Sequence, residues 1–130
     1  MSLPEYRTSR AQWDGALPHT LQCNRVTASG SGVVTSNDMI VPCDGYIAAI
    51  IVHVITDGAA GTALINVLNG ATEIVVNYSI DAIGDGSILD LAPNIASAAL
   101  TLVSRGDRLT MNIENVAAGA FAATIVIMPR

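Results

Sequence analysis

Few residues of this chain could do chemistry, and they are not arranged for catalysis. There are two histidines, His19 and His53, and two cysteines, Cys23 and Cys43. A nucleophilic serine or cysteine needs a base beside it, and no Gly-x-Ser-x-Gly, His-Glu-x-x-His or phosphate-loop motif is present. His53 lies among isoleucines, as a histidine of a core or an interface does. The sequence therefore predicts a protein that is not an enzyme and has no catalytic residues.

Metal binding is also poorly supported by the spacing of possible ligands. Asp81, Asp85 and Asp90 lie around two glycines, and calcium favours carboxylate-rich turns. The spacing matches no calcium-binding loop, however, and Asp-Gly pairs are ordinary turn residues. Two cysteines without suitably spaced histidines do not form a structural zinc site. We expect no metal and no cofactor, and we expect Cys23 and Cys43 to be thiols rather than a disulfide.

Two tripeptides match recognition motifs, but each has a simpler explanation. Arg105-Gly106-Asp107 spells the integrin-binding tripeptide, yet a Gly-Asp turn before a strand is common in β-hairpins. Asn77-Tyr78-Ser79 matches the glycosylation sequon, but it lies inside a predicted strand of a chain that shows no secretory signal. We interpret both tripeptides as structural.

The composition favours a protein that covers part of its surface with other chains. The 130 residues fit one domain, and 51% are hydrophobic while only 13% are charged, against about 25% charged in ordinary soluble domains. All six basic residues are arginine, a residue that is enriched at interfaces where lysine is depleted. The net charge of −5 argues against nucleic-acid binding. No apolar run reaches the roughly 18 residues of a membrane span, and we expect the chain to be made and folded in the cytosol.

Residues 1–30 are predicted to form an extended N-terminal arm, and residues 31–130 the folded body. The first segment shows no sustained periodicity and ends in the flexible composition Ala-Ser-Gly-Ser-Gly. It nevertheless contains two of the five aromatic residues that the chain has, Trp13 and Tyr6. Such residues anchor an arm on a neighbouring protein, or they fold back on the domain's own sheet. The predicted contact residues are Tyr6, Arg7, Arg10, Trp13 and Arg25.

The body is organised around a long strand at residues 44–56. This stretch is apolar at both alternating sets of positions, so it must be a central strand, or its second face must meet another chain. Strict alternation places Ile47, Ala49, Ile51 and Ile55 on one face, and Ala48, Ile50, Val52 and Val54 on the other. Ile51 is predicted to lie in the core.

The remaining strands follow one another at intervals of about ten residues. Asn69-Gly70 predicts a type I′ hairpin. Ile74, Val76, Tyr78 and Ile80 are predicted to point inward, as are Leu100 and Leu102 of a short strand at residues 99–103, and Leu109, Met111 and Ile113. The pattern predicts an all-β fold: an antiparallel β-sandwich of about eight strands with a jelly-roll-like order.

From Val41 to Arg130 the chain resembles a family of phage and prophage capsid decoration (cement) or head-fibre proteins. The resemblance lies in the order of four features: Pro42-Cys43-Asp44-Gly45-Tyr46-Ile47 at the start of the long strand, the alternating strand 63–68 followed by Asn69-Gly70, the Gly106-Asp107 step into the penultimate strand, and the aliphatic strand that ends at Pro129-Arg130.

The resemblance implies a jelly-roll-like sandwich that is trimeric or otherwise oligomeric, binds the major capsid protein on the outer surface of an icosahedral capsid, and stabilises the virion. It supplies no catalytic residues. Two alternatives remain open: a fibre or spike module that binds a host receptor or a carbohydrate, and another structural subunit of a head or tail. Carbohydrate sites usually expose aromatic side chains, and here Tyr78 and Phe121 are predicted to be in the core.

Overall fold

The computed structural model describes residues 17–29, 33–56, 64–80, 86–114 and 118–130. Within these residues, ten strands form two five-stranded antiparallel sheets. Their bounds are β1 His19–Ser29, β2 Val33–Thr35, β3 Met39–Ile40, β4 Gly45–Thr56, β5 Leu64–Asn69, β6 Thr72–Ser79, β7 Ile88–Asp90, β8 Leu102–Val103, β9 Arg108–Glu114 and β10 Ala118–Pro129. Two short 3₁₀ turns, Ala92–Asn94 and Ala98–Thr101, connect β7 to β8. The all-β prediction is confirmed.

The strand order is that of a jelly roll. Sheet A has the order β1-β10-β4-β7, and β8 also pairs with β4; sheet B has the order β2-β9-β5-β6, and β3 also pairs with β9. The pair β2 and β3 and the pair β7 and β8 each form one interrupted strand. Counted in this way there are eight strands. In each sheet, strands from the first half of the chain alternate with strands from the second half, as two interlocked Greek keys require.

The core lies between the inner faces of the two sheets. Its largest fully buried side chains come from both sheets, with Phe121 and Ile125 on β10 and Ile65 on β5. On β9, the residues Leu109, Met111 and Ile113 are at most 1% exposed, so the predicted inward face of this strand is confirmed. A domain of this size buries enough apolar surface to fold without a metal or a disulfide.

β1 lies within the segment that was predicted to be an arm. His19–Ser29 pairs with β10 along almost its whole length, and the register shifts between Cys23 and Val26. The shift is a β-bulge, which places both Cys23 and Val26 in the core. The sandwich therefore begins at residue 19 rather than residue 31, and deletion of residues 1–27 would remove most of an edge strand of sheet A.

β4 is central in sheet A, as predicted, but its two faces are not those that strict alternation gives. The register against β10 shifts between Ile47 and Ala49, so the extra residue Ala48 puts Ile47 on the same inner face as Ile50, Val52 and Val54. These four side chains are buried. Ile51 is only half-buried and points outward, so the prediction that it lies in the core is wrong.

The β5–β6 hairpin also departs from the predicted register. Asn69 pairs with Thr72, and Gly70 has φ 61°, so the loop residues are Gly70 and Ala71, and glycine at the first loop position is typical of a type II′ turn rather than I′. Further along β6, the bulges in this pair turn Val75 into the core and leave Val76 49% exposed, the reverse of the prediction for Val76.

A buried amide accompanies this irregular pairing. The Asn66 side chain is 2% exposed, and its Oδ1 accepts the backbone N–H of Asn77 at 2.6 Å. Asn77 has φ 50°, a left-handed conformation that asparagine tolerates better than most residues. The sequon residue Asn77 is thus part of the bend in β6.

The segment predicted as a strand at residues 99–103 is mostly a 3₁₀ turn. Only Leu102–Val103 pairs with β4. Val103 is 1% exposed and faces inward, while Leu102 is 50% exposed and faces outward, opposite to the prediction.

Candidate contact surface

The outer face of sheet A is the most unusual surface of the described part of the chain. Outward-pointing side chains come from four adjacent strand positions, and most are apolar. We call them the apolar face: Tyr46, Ala49, Ile51, His53 and Ile55 of β4; Ala122, Thr124, Val126 and Met128 of β10; Ile88 of β7; Leu102 of β8; and Thr20 and Gln22 of β1. Ile88 is 68% exposed, Leu102 50% and Tyr46 41%.

The middle of this face is formed by β4 and β10, two paired strands that contain no charged residue. Each strand is twelve residues long, and neither contains Asp, Glu, Lys or Arg. Thr124 lies at the centre, between Ile51 of β4 and Gln22 of β1. At the β7 edge, the Asp90 carboxylate forms hydrogen bonds within the fold. Its Oδ1 accepts the backbone N–H groups of Ile50 at 3.0 Å and of Ala92 at 2.9 Å.

The outer face of sheet B is more polar at its centre, although Val33, Ile40 and Val76 are 56%, 53% and 49% exposed on this sheet. Its central strand β9 presents Arg108, Thr110, Asn112 and Glu114 outward. Arg108 lies 3.9 Å from Asp38, and both side chains are more than half exposed, so this ion pair is worth little beyond solubility. Sheet B therefore has the alternation of a sheet with one solvated face, whereas the exposed side of sheet A resembles the centre of an interface, from which charged residues are depleted.

A hydrogen-bonded corner fixes the start of β4. The Asp44 Oδ1 accepts the backbone N–H of Arg105 at 2.9 Å. Arg130 donates from Nε to the Gly45 carbonyl at 3.1 Å and from Nη2 to the Val103 carbonyl at 3.3 Å. These bonds hold Tyr46 and Leu102 side by side at one end of the apolar face.

The Arg105-Gly106-Asp107 tripeptide forms the turn before β9, as predicted. Asp107 Oδ2 accepts the N–H of Ser104 at 2.9 Å and a hydrogen from Asn69 Nδ2 at 3.0 Å. These two bonds, chiefly the one from Ser104, hold the pKa of the Asp107 carboxyl below its usual value. Gly106 has φ 91°, which glycine allows. The Asp107 carboxylate therefore stabilises the turn.

Among the predicted contact residues, the structure describes only Arg25. It lies in the bulge of β1, and its side chain is exposed at this edge of sheet A. Tyr6, Arg7, Arg10 and Trp13 lie outside the described residues.

No group for catalysis or metal binding forms within the described ranges. There, no cluster of three or more histidine, cysteine or carboxylate side chains could hold a metal ion; of the three aspartates weighed for calcium, Asp81 and Asp85 lie outside these ranges. One open cavity of about 300 Å³ is lined by Asn69, Thr72, Ile74, Ala99, Leu100 and Leu102. Its lining offers no nucleophile paired with a base and no ionisable side chain.

The two cysteines are not bonded to each other. Cys23 is buried on the inner side of β1, and burial raises the pKa of its thiol. Cys43 is half-buried before β4.

Sequence reasoning allowed that the second face of the strand at residues 44–56 meets another chain, but it did not identify the residues of the apolar face. Charge is missing from both long strands, but only their pairing as neighbours turns two charge-free strands into a continuous surface.

No helix among the described residues has the length and apolarity needed to cross a membrane. No protein-family model matches the sequence, and no curated protein matches it either.

Proposed function

We propose that this chain is a non-enzymatic structural protein of a phage particle: a decoration protein that binds the outer surface of an icosahedral capsid as an oligomer, with a trimer favoured, and stabilises the shell. Its partners are further copies of itself and the major capsid protein.

The observation that carries the proposal is the contrast between the two outer faces of the sandwich. The central strand β9 of one face carries the charged residues Arg108 and Glu114, whereas the central strands β4 and β10 of the other face carry no charged residue. A sandwich of this kind is suited to lie between protein on one side and water on the other, as a subunit on the outside of a shell does. The resemblance of residues 41–130 to decoration proteins supplies the kind of partner.

The N-terminal residues supply the attachment in this proposal. Of the predicted arm, residues 19–29 are strand β1, and the sequence before this strand contains Tyr6, Arg7, Arg10 and Trp13. Arg25 is exposed on β1 and is the fifth proposed contact residue. Aromatic and arginine side chains are the residues that dominate interface energies, and the body's acidic charge leaves these arginines as its basic end.

The proposal is tested by co-sedimentation. Purified protein is mixed with undecorated icosahedral phage shells, the shells are pelleted, and bound protein is measured as a function of its concentration. We expect saturable binding and a higher melting temperature of the decorated shells. Trp13→Ala should weaken binding by about tenfold or more, equivalent to ~1.4 kcal/mol.

A pair of arginine variants separates local contacts from general charge. Arg25→Ala and Arg105→Ala remove the same charge, and both side chains are exposed. Arg25→Ala should reduce binding, whereas Arg105→Ala should not, because its fold contact to Asp44 uses the backbone N–H, which remains. No pelleting with any shell, or equal losses for both variants, would count against the proposed attachment.

A further inference from the structure

We propose that the apolar face of sheet A is the surface through which copies of this chain associate, so that its occupant is a second copy of the same protein. The inference rests on the part of the proposed function in which copies of the chain associate, and not on attachment to a shell. It concerns a pair of copies that meet face to face, which a twofold axis relates, and not the trimer that the proposed function favours. Self-association and attachment are therefore assigned to different parts of the molecule.

The size of the face matches what a stable association needs. β4 is twelve residues long, which at about 3.4 Å per residue is roughly 40 Å. The face is four strand positions wide, which at about 4.8 Å each is roughly 19 Å. The resulting area of roughly 750 Å² is close to the ~800 Å² that each partner buries in a standard protein interface.

The distribution of charge favours a second copy as the occupant. The chain has a net charge of −5, so two copies repel each other wherever their acidic surfaces meet. The middle of the apolar face brings no carboxylates together when two copies meet, since β4 and β10 contain none. The exposed carboxylate on this side, Asp90, lies at the β7 edge and accepts the N–H groups of Ile50 and Ala92. An apolar face that packs on its own copy also leaves no buried charge without a partner.

The face has the composition of an interface from centre to edge. Ile51 and Val126 lie near the middle, and the polar Thr20 and Gln22 lie along the β1 edge. Three large side chains are 41% to 68% exposed: Ile88 and Leu102 on the opposite edge, and Tyr46 beside Leu102 at one end of β4. They are the anchors that a facing copy would bury.

The experiment compares two threonine variants of the full-length protein by analytical ultracentrifugation without shells. Thr124→Arg puts a guanidinium at the centre of the apolar face. Thr110→Arg makes the same change on β9, at the centre of the other outer face. Both threonines are half-buried, so the pair is matched in residue type, burial and charge change.

We expect the wild-type protein to sediment as an oligomer at micromolar concentration. Thr124→Arg should raise its dissociation constant by at least about a hundredfold and give the 13.4 kDa monomer, whereas Thr110→Arg should leave the oligomer intact. A wild-type monomer, or an unchanged mass for Thr124→Arg, would overturn the inference.

A second variant keeps the test decisive if Thr124→Arg fails to fold. Ile88→Lys combined with Leu102→Lys changes side chains that are already 68% and 50% exposed, so the sandwich itself should tolerate both. Dissociation of this variant supports the inference, and an unchanged mass overturns it. If either variant stays oligomeric yet no longer pellets with shells, the face contacts the shell instead, and the inference fails while the proposed function stands.

Discussion

Truncation of two neighbouring isoleucines in β4 measures where its bulge lies. Ile50 is 0% exposed and points between the sheets, while Ile51 is half-buried on the outer face. The register shift at Ala48 decides which of the two faces inward. Ile50→Ala and Ile51→Ala therefore test the register of the central strand with the smallest change in chemistry.

The expected costs follow from burial. Ile50→Ala removes buried methyl and methylene groups and leaves a cavity between the sheets, at a cost of about 3 kcal/mol. Ile51→Ala removes the same groups from a partly solvated surface, at a cost of about 1 kcal/mol. At roughly 4 °C per kcal/mol for a chain of this length, the melting temperature should fall by about 12 °C for Ile50→Ala and by about 4 °C for Ile51→Ala.

The assay is thermal unfolding followed by circular dichroism, together with urea unfolding to compare free energies at one temperature. The protein concentration is kept low enough for sedimentation to show a monomer, because contacts between copies would add to the cost at Ile51. If Ile51→Ala were the more damaging of the two, β4 would have the strictly alternating register and the bulge at Ala48 would be wrong.

Three further outcomes are expected. Gly45→Ala should lower stability by about 2 kcal/mol or more, because the added Cβ would overlap the backbone carbonyl oxygen of Met128. Gly70→Ala should lower it by about 1 kcal/mol in the same melting experiment although the space around Gly70 is open, because a φ of 61° is strained for a residue with a side chain. The pKa of Asp107 is lowered in the folded protein. Its contribution to stability is therefore present above the unfolded pKa of about 3.9 and is lost as the pH falls through the lower folded pKa. Asp107→Asn should make the melting temperature depend less on pH at the acid end, and an unchanged dependence would contradict this. A thiol reagent should label Cys43 quickly in the folded protein and Cys23 only on unfolding, because Cys23 is buried and its thiol has a raised pKa. In unreduced, unfolded protein, two labels per chain would establish that both cysteines are thiols, and no label would reveal a disulfide.

Alternation of apolar residues was sufficient to predict the class of the fold. Strands such as β9, in which polar and apolar residues alternate strictly, can be oriented from the sequence because only one face can be buried. The connections near residues 81–86 and 92–97 are long enough to cross between sheets, and this favoured a jelly roll over a meander. The strand order of both sheets agrees with that prediction.

The errors of orientation lie at bulges and at a 3₁₀ turn. In β1, β4 and β6 an extra residue shifts the inward side chains by one position, and a shift of one residue exchanges the two faces. Where both sets of positions are apolar, as in β4, either face could be buried, and the choice depends on the partner strand. Leu102 was predicted to point inward because the four residues before it, Ala-Ala-Leu-Thr, were read as a strand. Nothing in their sequence indicates the 3₁₀ turn that they form.

The low charge of the chain could be noticed in the sequence, but its location could not. Charge-free strands are common in cores, and β4 and β10 are separated by more than sixty residues, so their sequence positions do not imply a shared surface. Only the pairing of Thr124 with Ile51, and of Val126 with Ala49, brings their outward residues together. Within the described chain, the charge-free stretch that these two strands share is therefore a property of the folded sheet and not of either segment alone.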